Sequence, residues 1–255
     1  IKCREVRIYE YSMYLCDTQR VIILEAFLYA DFMSTPHYHT KTQTIEIDGV
    51  NDLIIRSLLD RQQFYDPHGA ASRLGICSAS WSLFGMLWPS SIHLARALAL
   101  RPVDAHEKIL EIGCGLALAS LVAHRRGANI TASDRHPKAK LFLHENLELN
   151  HLPKLPFRHG QWGDHPTPSL QDTGAELLHK KYDLIVGSDL LYEPDMPLAL
   201  GRFVNMHAAE KAEVWIVDPN RGYRPAFNRA MQTLGFDLSS DNILNQQENP
   251  EHEKY

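Results

Sequence analysis

Glu111, Gly113, Cys114 and Gly115 stand within five residues of one another in KILEIGCGLALASL, residues 108–121. An apolar run ends in an acid, two glycines bracket a cysteine, and a new apolar pattern of helical spacing starts at Leu116. Glycines after a strand let the chain turn sharply and let a ligand come close to the backbone. A carboxylate two residues before them repels a pyrophosphate and attracts a cationic amino acid or a sulfonium. Asp134 closes the apolar run in TASDRHP about 20 residues further on, where an acid accepts hydrogen bonds from both hydroxyls of a ribose. SDLLYEP, residues 188–194, adds Asp189 and Tyr192 after another apolar run. A carboxylate there can bind and orient an amine, and a phenol can line its approach.

Other ligands fit the glycine turn less well. A dinucleotide fingerprint needs its third glycine at position 118, which is Leu118, and no G-x-x-x-x-G-K-[ST] string occurs. A ligand with a ribose, little phosphate and a positive charge is S-adenosylmethionine. Each residue also has a plainer reading. Glu111 could cap a neighbouring helix, Asp134 the helix near 137, and Asp189 the next one. Trp88, Trp162 and Tyr192 could be packing aromatics.

The elements that must hold these residues follow from periodicity. Short apolar strands are expected at 108–112, 129–133, 156–161, 182–188 and 213–217, with helices near 116–126, 137–150, 169–180 and 195–209. LWPSSIHLARALAL reads as a further helix with Pro89 in its first turn, and RPAFNRAMQTLG as another, followed by Gly235. Alternation of this kind predicts a doubly wound α/β fold with a mostly parallel sheet covered on both faces. Residues 1–75 read as an N-terminal extension with β-like pieces such as QTIEIDG, and VNDLIIRSLLD is ambiguous between strand and helix. The main domain is expected over 76–240 and a polar tail over 241–255. In an open parallel sheet the ligand binds where strand order reverses, so the turn after strand 108–112 is the place to look.

With these residues in place, the chain resembles the class I, seven-stranded S-adenosylmethionine-dependent methyltransferases. LWPSS before the glycine strand, QWG at 161–163 and SDLLYEP at 188–194 narrow the resemblance to the lysine-methyltransferase-like branch that modifies non-histone proteins. It covers roughly residues 45–220. The resemblance implies that Gly113, Cys114 and Gly115 lie against the methionine part of the cofactor and that Asp134 holds the ribose. It further implies that Gln161 and Trp162 flank the adenine, that Ser188 touches the cofactor and that Trp88 closes the pocket. Two departures stand out: Ala117 occupies a position where the branch often has a third glycine, and Gln161 one where it usually has Asp.

The bulk numbers constrain partners. The chain has 255 residues, 44% of them hydrophobic and 22% charged, with a net charge of −5. That balance gives no footprint of a general nucleic-acid binder, and without an Asn/Asp-Pro-Pro-Tyr string amino methylation of DNA bases is disfavoured. Cys3, Cys16, Cys77 and Cys114 form no C-x-x-C pair, which fits a reducing compartment. VIILEAFLYADFM is too short to span a bilayer and is broken by Glu25 and Asp31. A cytoplasmic monomer without membrane or nucleic-acid partners is expected. The chain begins with isoleucine, so an upstream start is expected as well. His37 and His39 are spaced to share one strand face, but without a third ligand nearby no metal is expected. Three function classes remain: a methyltransferase acting on a protein lysine, a small-molecule N-methyltransferase, and a non-catalytic binding module of the same fold. The intact set of Glu111, Gly113, Gly115 and Asp134 argues against the third.

Overall fold

The computed structural model describes residues 4–10, 38–163 and 168–242. Nine strands are described: β1 (Glu5–Glu10), β2 (Thr40–Ile45), β3 (Leu53–Leu58), β4 (Lys108–Ile112), β5 (Asn129–Asp134), β6 (Phe157–His159), β7 (Tyr182–Ser188), β8 (Ala208–Asp218) and β9 (Asp237–Asn242). The helices are α1 (Ala70–Arg73), α2 (Ser78–Trp81), α3 (Pro89–Leu100), α4 (Leu118–Arg125), α5 (Ala139–Leu149), α6 (Leu170–Thr173), α7 (Met196–His207) and α8 (Arg224–Thr233). Seven strands form one sheet in the order β6-β5-β4-β7-β8-β1-β9, with every pairing parallel. From β4 the chain first winds outward through β5 and β6, then returns to β4's other side with β7 and β8. Strand order therefore reverses at β4, as the alternation predicts.

The central strands β4, β7 and β8 carry apolar residues on both faces because both faces are covered. On β4, β7 and β8, Ile109, Leu184, Val186, Trp215 and Val217 face one core, where Leu94 and Leu98 of α3, Leu118 and Leu121 of α4, and Phe142 of α5 meet them. The residues between them, Leu110, Ile112, Ile185, Val214 and Ile216, face a second core closed by Leu200 and Val204 of α7 and Phe227 and Met231 of α8. A strand with a layer on each side has no polar face to show. Each such side chain, once buried, stabilises the fold by about 1.5–3 kcal/mol.

Three expectations need correction. The stretch 1–75 is not wholly separate from the main domain, because β1 sits within the central sheet between β8 and β9. Its alternation explains why: Val6 and Ile8, 0% and 2% exposed, point into the second core. At the other boundary, β9 runs past residue 240 on the sheet edge. The helix expected over 169–180 is a single turn, α6, stopped by Gly174 in the left-handed conformation (φ 65°). Beyond it the chain is extended, and His159 pairs with it through bonds to Glu176 and Leu178 (2.8 and 3.0 Å), which outweighs the local helical pattern.

The ambiguous stretch at 50–60 is strand β3, paired antiparallel with β2. Two asparagines one turn apart, Asn146 of α5 and Asn150 just past its end, complete its other edge. Asn146 Oδ1 accepts from Arg56 N at 2.7 Å, and Asn150 Oδ1 accepts from Ile54 N at 2.8 Å. Their amides donate back to the carbonyls of the same two residues. Among the described residues no helix is long and apolar enough to cross a membrane.

Candidate active site

The turn between β4 and α4 carries the geometry that glycine permits and other residues resist. Gly113 and Gly115 have φ of 58° and 52°. A Cβ on Gly115 would lie 2.8 Å from the Phe84 carbonyl oxygen, and one on Gly113 would collide with Leu190 and come within 3.4 Å of Trp162. Cys114, 6% exposed, donates its N–H to Ser133 O at 3.0 Å, and burial raises its thiol pKa well above the usual range. Ala117 then takes a left-handed conformation (φ 60°, ψ 33°) as the residue before α4. This explains the departure noted in the sequence: the position suits glycine, and alanine holds it at a backbone cost of roughly 1–2 kcal/mol.

Asp134 ends β5 directly beside this turn. Its Oδ2 accepts from Gly115 N at 2.8 Å and its Oδ1 from His136 N at 2.7 Å, with the residue only 8% exposed. Burial raises the carboxyl pKa, and the backbone hydrogen bonds oppose the rise. Asp134 does not cap α5, whose first residue is Ala139 and whose preceding Lys138 supplies no side-chain cap. A carboxylate offers about four acceptor positions, and the two backbone bonds leave capacity for a ribose.

Glu111 is placed differently from the expectation of a carboxylate lining an open crevice. It is 1% exposed and lies beneath α4, where its Oε2 accepts from Ser120 N at 2.8 Å and from the Ser120 hydroxyl. Ser120 is the third residue of α4, so Glu111 satisfies one of the free amide groups at that helix start. Burial pushes its pKa up to about 7, against the lowering effect of the Ser120 bonds.

On the far side of the turn, Trp162 packs edge to face on Phe203 of α7, with ring centroids 5.4 Å apart. Its tip approaches Gly113. His159 Nε2 donates to Gln161 Oε1 at 3.3 Å, so the amide that replaces the usual Asp is oriented by a buried neighbour. Trp88, immediately before α3, donates its indole N–H to Leu83 O at 3.0 Å and carries the Arg61 guanidinium 4.6 Å from its ring centroid. Leu83 adjoins Phe84, whose carbonyl lies against Gly115, so Trp88 braces the turn that covers the glycines.

Ser188 ends β7, and Asp189 follows with φ 59°, its N–H bound to Val217 O at 2.9 Å. Asp189, read from the sequence as a carboxylate able to orient an amine or cap the next helix, is already engaged by another side chain. Its Oδ1 is ion-paired with Arg221 Nη1, while its Oδ2 is buried without a hydrogen-bond partner. Tyr192 is 37% exposed, and partial desolvation with the charge of Asp134 pushes its pKa up to about 12.

The structure thus joins Gly113 with Trp162, Gly115 with Asp134, and Asp189 with Arg221. Leu190, Phe84 and Arg221 are the participants that motif reading missed. Arg221 had one usable signal, its place in a loop just past the carboxyl end of a strand. A groove of about 480 Å³ lined by Arg158, Leu170, Ala175, Leu178 and Tyr182 lies near the start of β7 and contains none of the site residues. Among the described residues no cluster of three or more His, Cys, Asp or Glu is placed to hold a metal, and His37 lies outside them.

A parallel sheet reversing at β4, with a glycine turn there, is the architecture of Rossmann-like methyltransferases. The SAM-dependent methyltransferase from Agrobacterium tumefaciens shares that fold, with a TM-score of 0.50 at 16% identity over 79% of this chain and 61% of that one. Residues 79–225 match the family model described as lysine methyltransferase, more than half of the chain, and the protein belongs to that family. It is 30% identical over 122 residues to the protein N-lysine methyltransferase METTL21A of Danio rerio, covering 45% of this chain and 52% of that one. It is also 30% identical over 140 residues to the histone-arginine methyltransferase METTL23 of Xenopus laevis, covering 52% and 56% respectively. The chain spans about half the length of the curated relatives it matches.

Proposed function

We propose that this protein is an S-adenosylmethionine-dependent methyltransferase that N-methylates a lysine side chain of a protein. The observation that carries this reading is the glycine turn at the reversal point of the sheet, fastened through Gly115 N to Asp134. Membership of the lysine methyltransferase family supports it. The residues present fit the cofactor: the turn has no room for side chains, and a buried carboxylate beside it keeps free acceptor capacity. Gly113, Cys114 and Gly115 would hold the methionine part, Asp134 the ribose, and Gln161 and Trp162 the adenine. Ser188 would add a contact from the end of β7. Glu111 and Trp88 act one step back, the first by holding the start of α4 and the second by bracing the turn at Phe84.

When bound, the cofactor supplies an electrophilic methyl group on a positively charged sulfur. The chain has to align an amine with it and keep water away. Asp189, just past the end of β7, would orient the incoming amine, and Tyr192, with its pKa held above the usual range, would line the approach as a neutral phenol rather than as a base. Solvent takes the amine's proton. A reducing, cytoplasmic setting belongs to the same proposal, on cysteines that form no C-x-x-C pair. The test is incubation with methyl-labelled S-adenosylmethionine and a cell lysate. The proposal expects label in protein, recovered as methyl-lysine after hydrolysis. Label confined to small molecules would overturn the protein acceptor, and label recovered as methyl-arginine would overturn lysine.

A further inference from the structure

We infer that Arg221 is a specificity-determining residue of the acceptor site, shielding Asp189 so that the site does not trap a charged amine. The inference rests on the reading of Asp189 as the group that receives the acceptor. Asp189 presents two unequal oxygens. Oδ1 is taken by the Arg221 guanidinium, and Oδ2 is buried and unpartnered, although the side chain as a whole is only 7% exposed. A buried carboxylate oxygen without a donor is costly, and such atoms call for an explanation beyond packing.

The surroundings hold this arrangement in place. Asp189 sits at φ 59°, with its N–H fixed to Val217 O on β8. The loop after β8 turns back at Pro219 and Asn220, with Asn220 at φ 59° and its N–H on Asp218 Oδ1 at 2.7 Å. Arg221 is the next residue, and its side chain is 35% exposed, so solvent reaches it.

Chemistry explains what the pair would accomplish. An amine attacks a methyl group only through its lone pair, so the ammonium must first release its proton to solvent. A lone carboxylate at the acceptor site would bind the ammonium most tightly and oppose that release. With Arg221 on Oδ1, the charge of Asp189 is already compensated. The compensated carboxylate then orients the amine without favouring its protonated form.

A probe that needs no knowledge of the acceptor is sinefungin, which carries an amine where S-adenosylmethionine carries its reactive methyl. S-adenosylhomocysteine carries neither. The ratio of their affinities, measured by calorimetry at pH 7.5, reads the site's hold on a charged amine and cancels any general weakening of the cofactor pocket. Arg221→Gln should raise the preference for sinefungin by about tenfold, the scale of one charge-assisted hydrogen bond. Arg221→Lys, which keeps the charge, should stay within about threefold of the unaltered protein, and Asp189→Asn should lower the preference. If Asp189→Asn lowers it and Arg221→Gln leaves it unchanged, the inference about Arg221 fails alone. If Asp189→Asn has no effect either, the acceptor reading of Asp189 fails with it.

Discussion

Replacing Glu111 by Gln tests the packing under the glycine turn with a sign that is easy to read. The carboxyl is 1% exposed, and burial raises its pKa from 4.5 to about 7. A folded-state pKa above the unfolded value means that the protonated form favours folding. The stability this group contributes is therefore fully present below about pH 4.5 and is lost as pH rises through about 7. At about 1.4 kcal/mol per unit, the span amounts to about 3 kcal/mol. Glutamine keeps a carbonyl oxygen for Ser120 N and its hydroxyl but does not titrate. Urea unfolding of both proteins at pH 5 and pH 8, without ligand, should show Glu111→Gln gaining about 2.5 kcal/mol on the parent between the two, since part of the span is already lost at pH 5. Comparing two proteins at each pH removes the contributions of all other groups. A difference that stays constant with pH would refute the reasoning and return Glu111 to a solvated pocket wall.

Three further variants probe the remaining parts of the account. Asp134→Ala should weaken S-adenosylhomocysteine binding at least tenfold in calorimetry, because charge-assisted hydrogen bonds contribute about 1.5–3 kcal/mol each; an unchanged dissociation constant would reduce Asp134 to a strut for Gly115. Gly115→Ala places a methyl 2.8 Å from the Phe84 carbonyl at φ 52° and should cost about 2 kcal/mol or more in thermal unfolding, whereas full stability would mean the turn is slack. Asn146→Ala strips both partners from Arg56 on β3 and should cost about 2–4 kcal/mol in urea unfolding, while a loss below about 0.5 kcal/mol would show the hairpin edge to be solvated.

The winding of the sheet was legible because β4, β5, β7 and β8 are apolar on both faces and separated by amphipathic stretches, a pattern that neighbours in sequence suffice to show. The pairing of β1 with β8 and β9 was not, since it joins Val6 to Val214 and to Leu238, more than 200 residues away. The alternation in EVRIYE could have marked a strand, though not its place in the sheet. β9, DLSSDN, carries little apolar signal because it forms the sheet edge. At the site, the positions of Gly113, Gly115 and Asp134 followed from their spacing, because strand ends in an open sheet fix where a ligand can lie. The burial of Glu111 did not follow: whether a carboxylate faces the crevice or the adjoining helix depends on strand parity, and Glu111 shares the face of Ile109 under α4. Arg221 was hidden for a different reason. Its partner lies 32 residues away in another loop, and an ion pair between loops leaves no periodic trace.

The turn from Gly113 to Gly115, with Asp134, is the proposed seat of S-adenosylmethionine. Calorimetric titration of the protein with S-adenosylhomocysteine and, separately, with NADH tests it most directly. One site is expected for the sulfur nucleoside, weakened at least tenfold by Asp134→Ala, with no heat of binding for NADH. Binding of NADH with none of S-adenosylhomocysteine would contradict it.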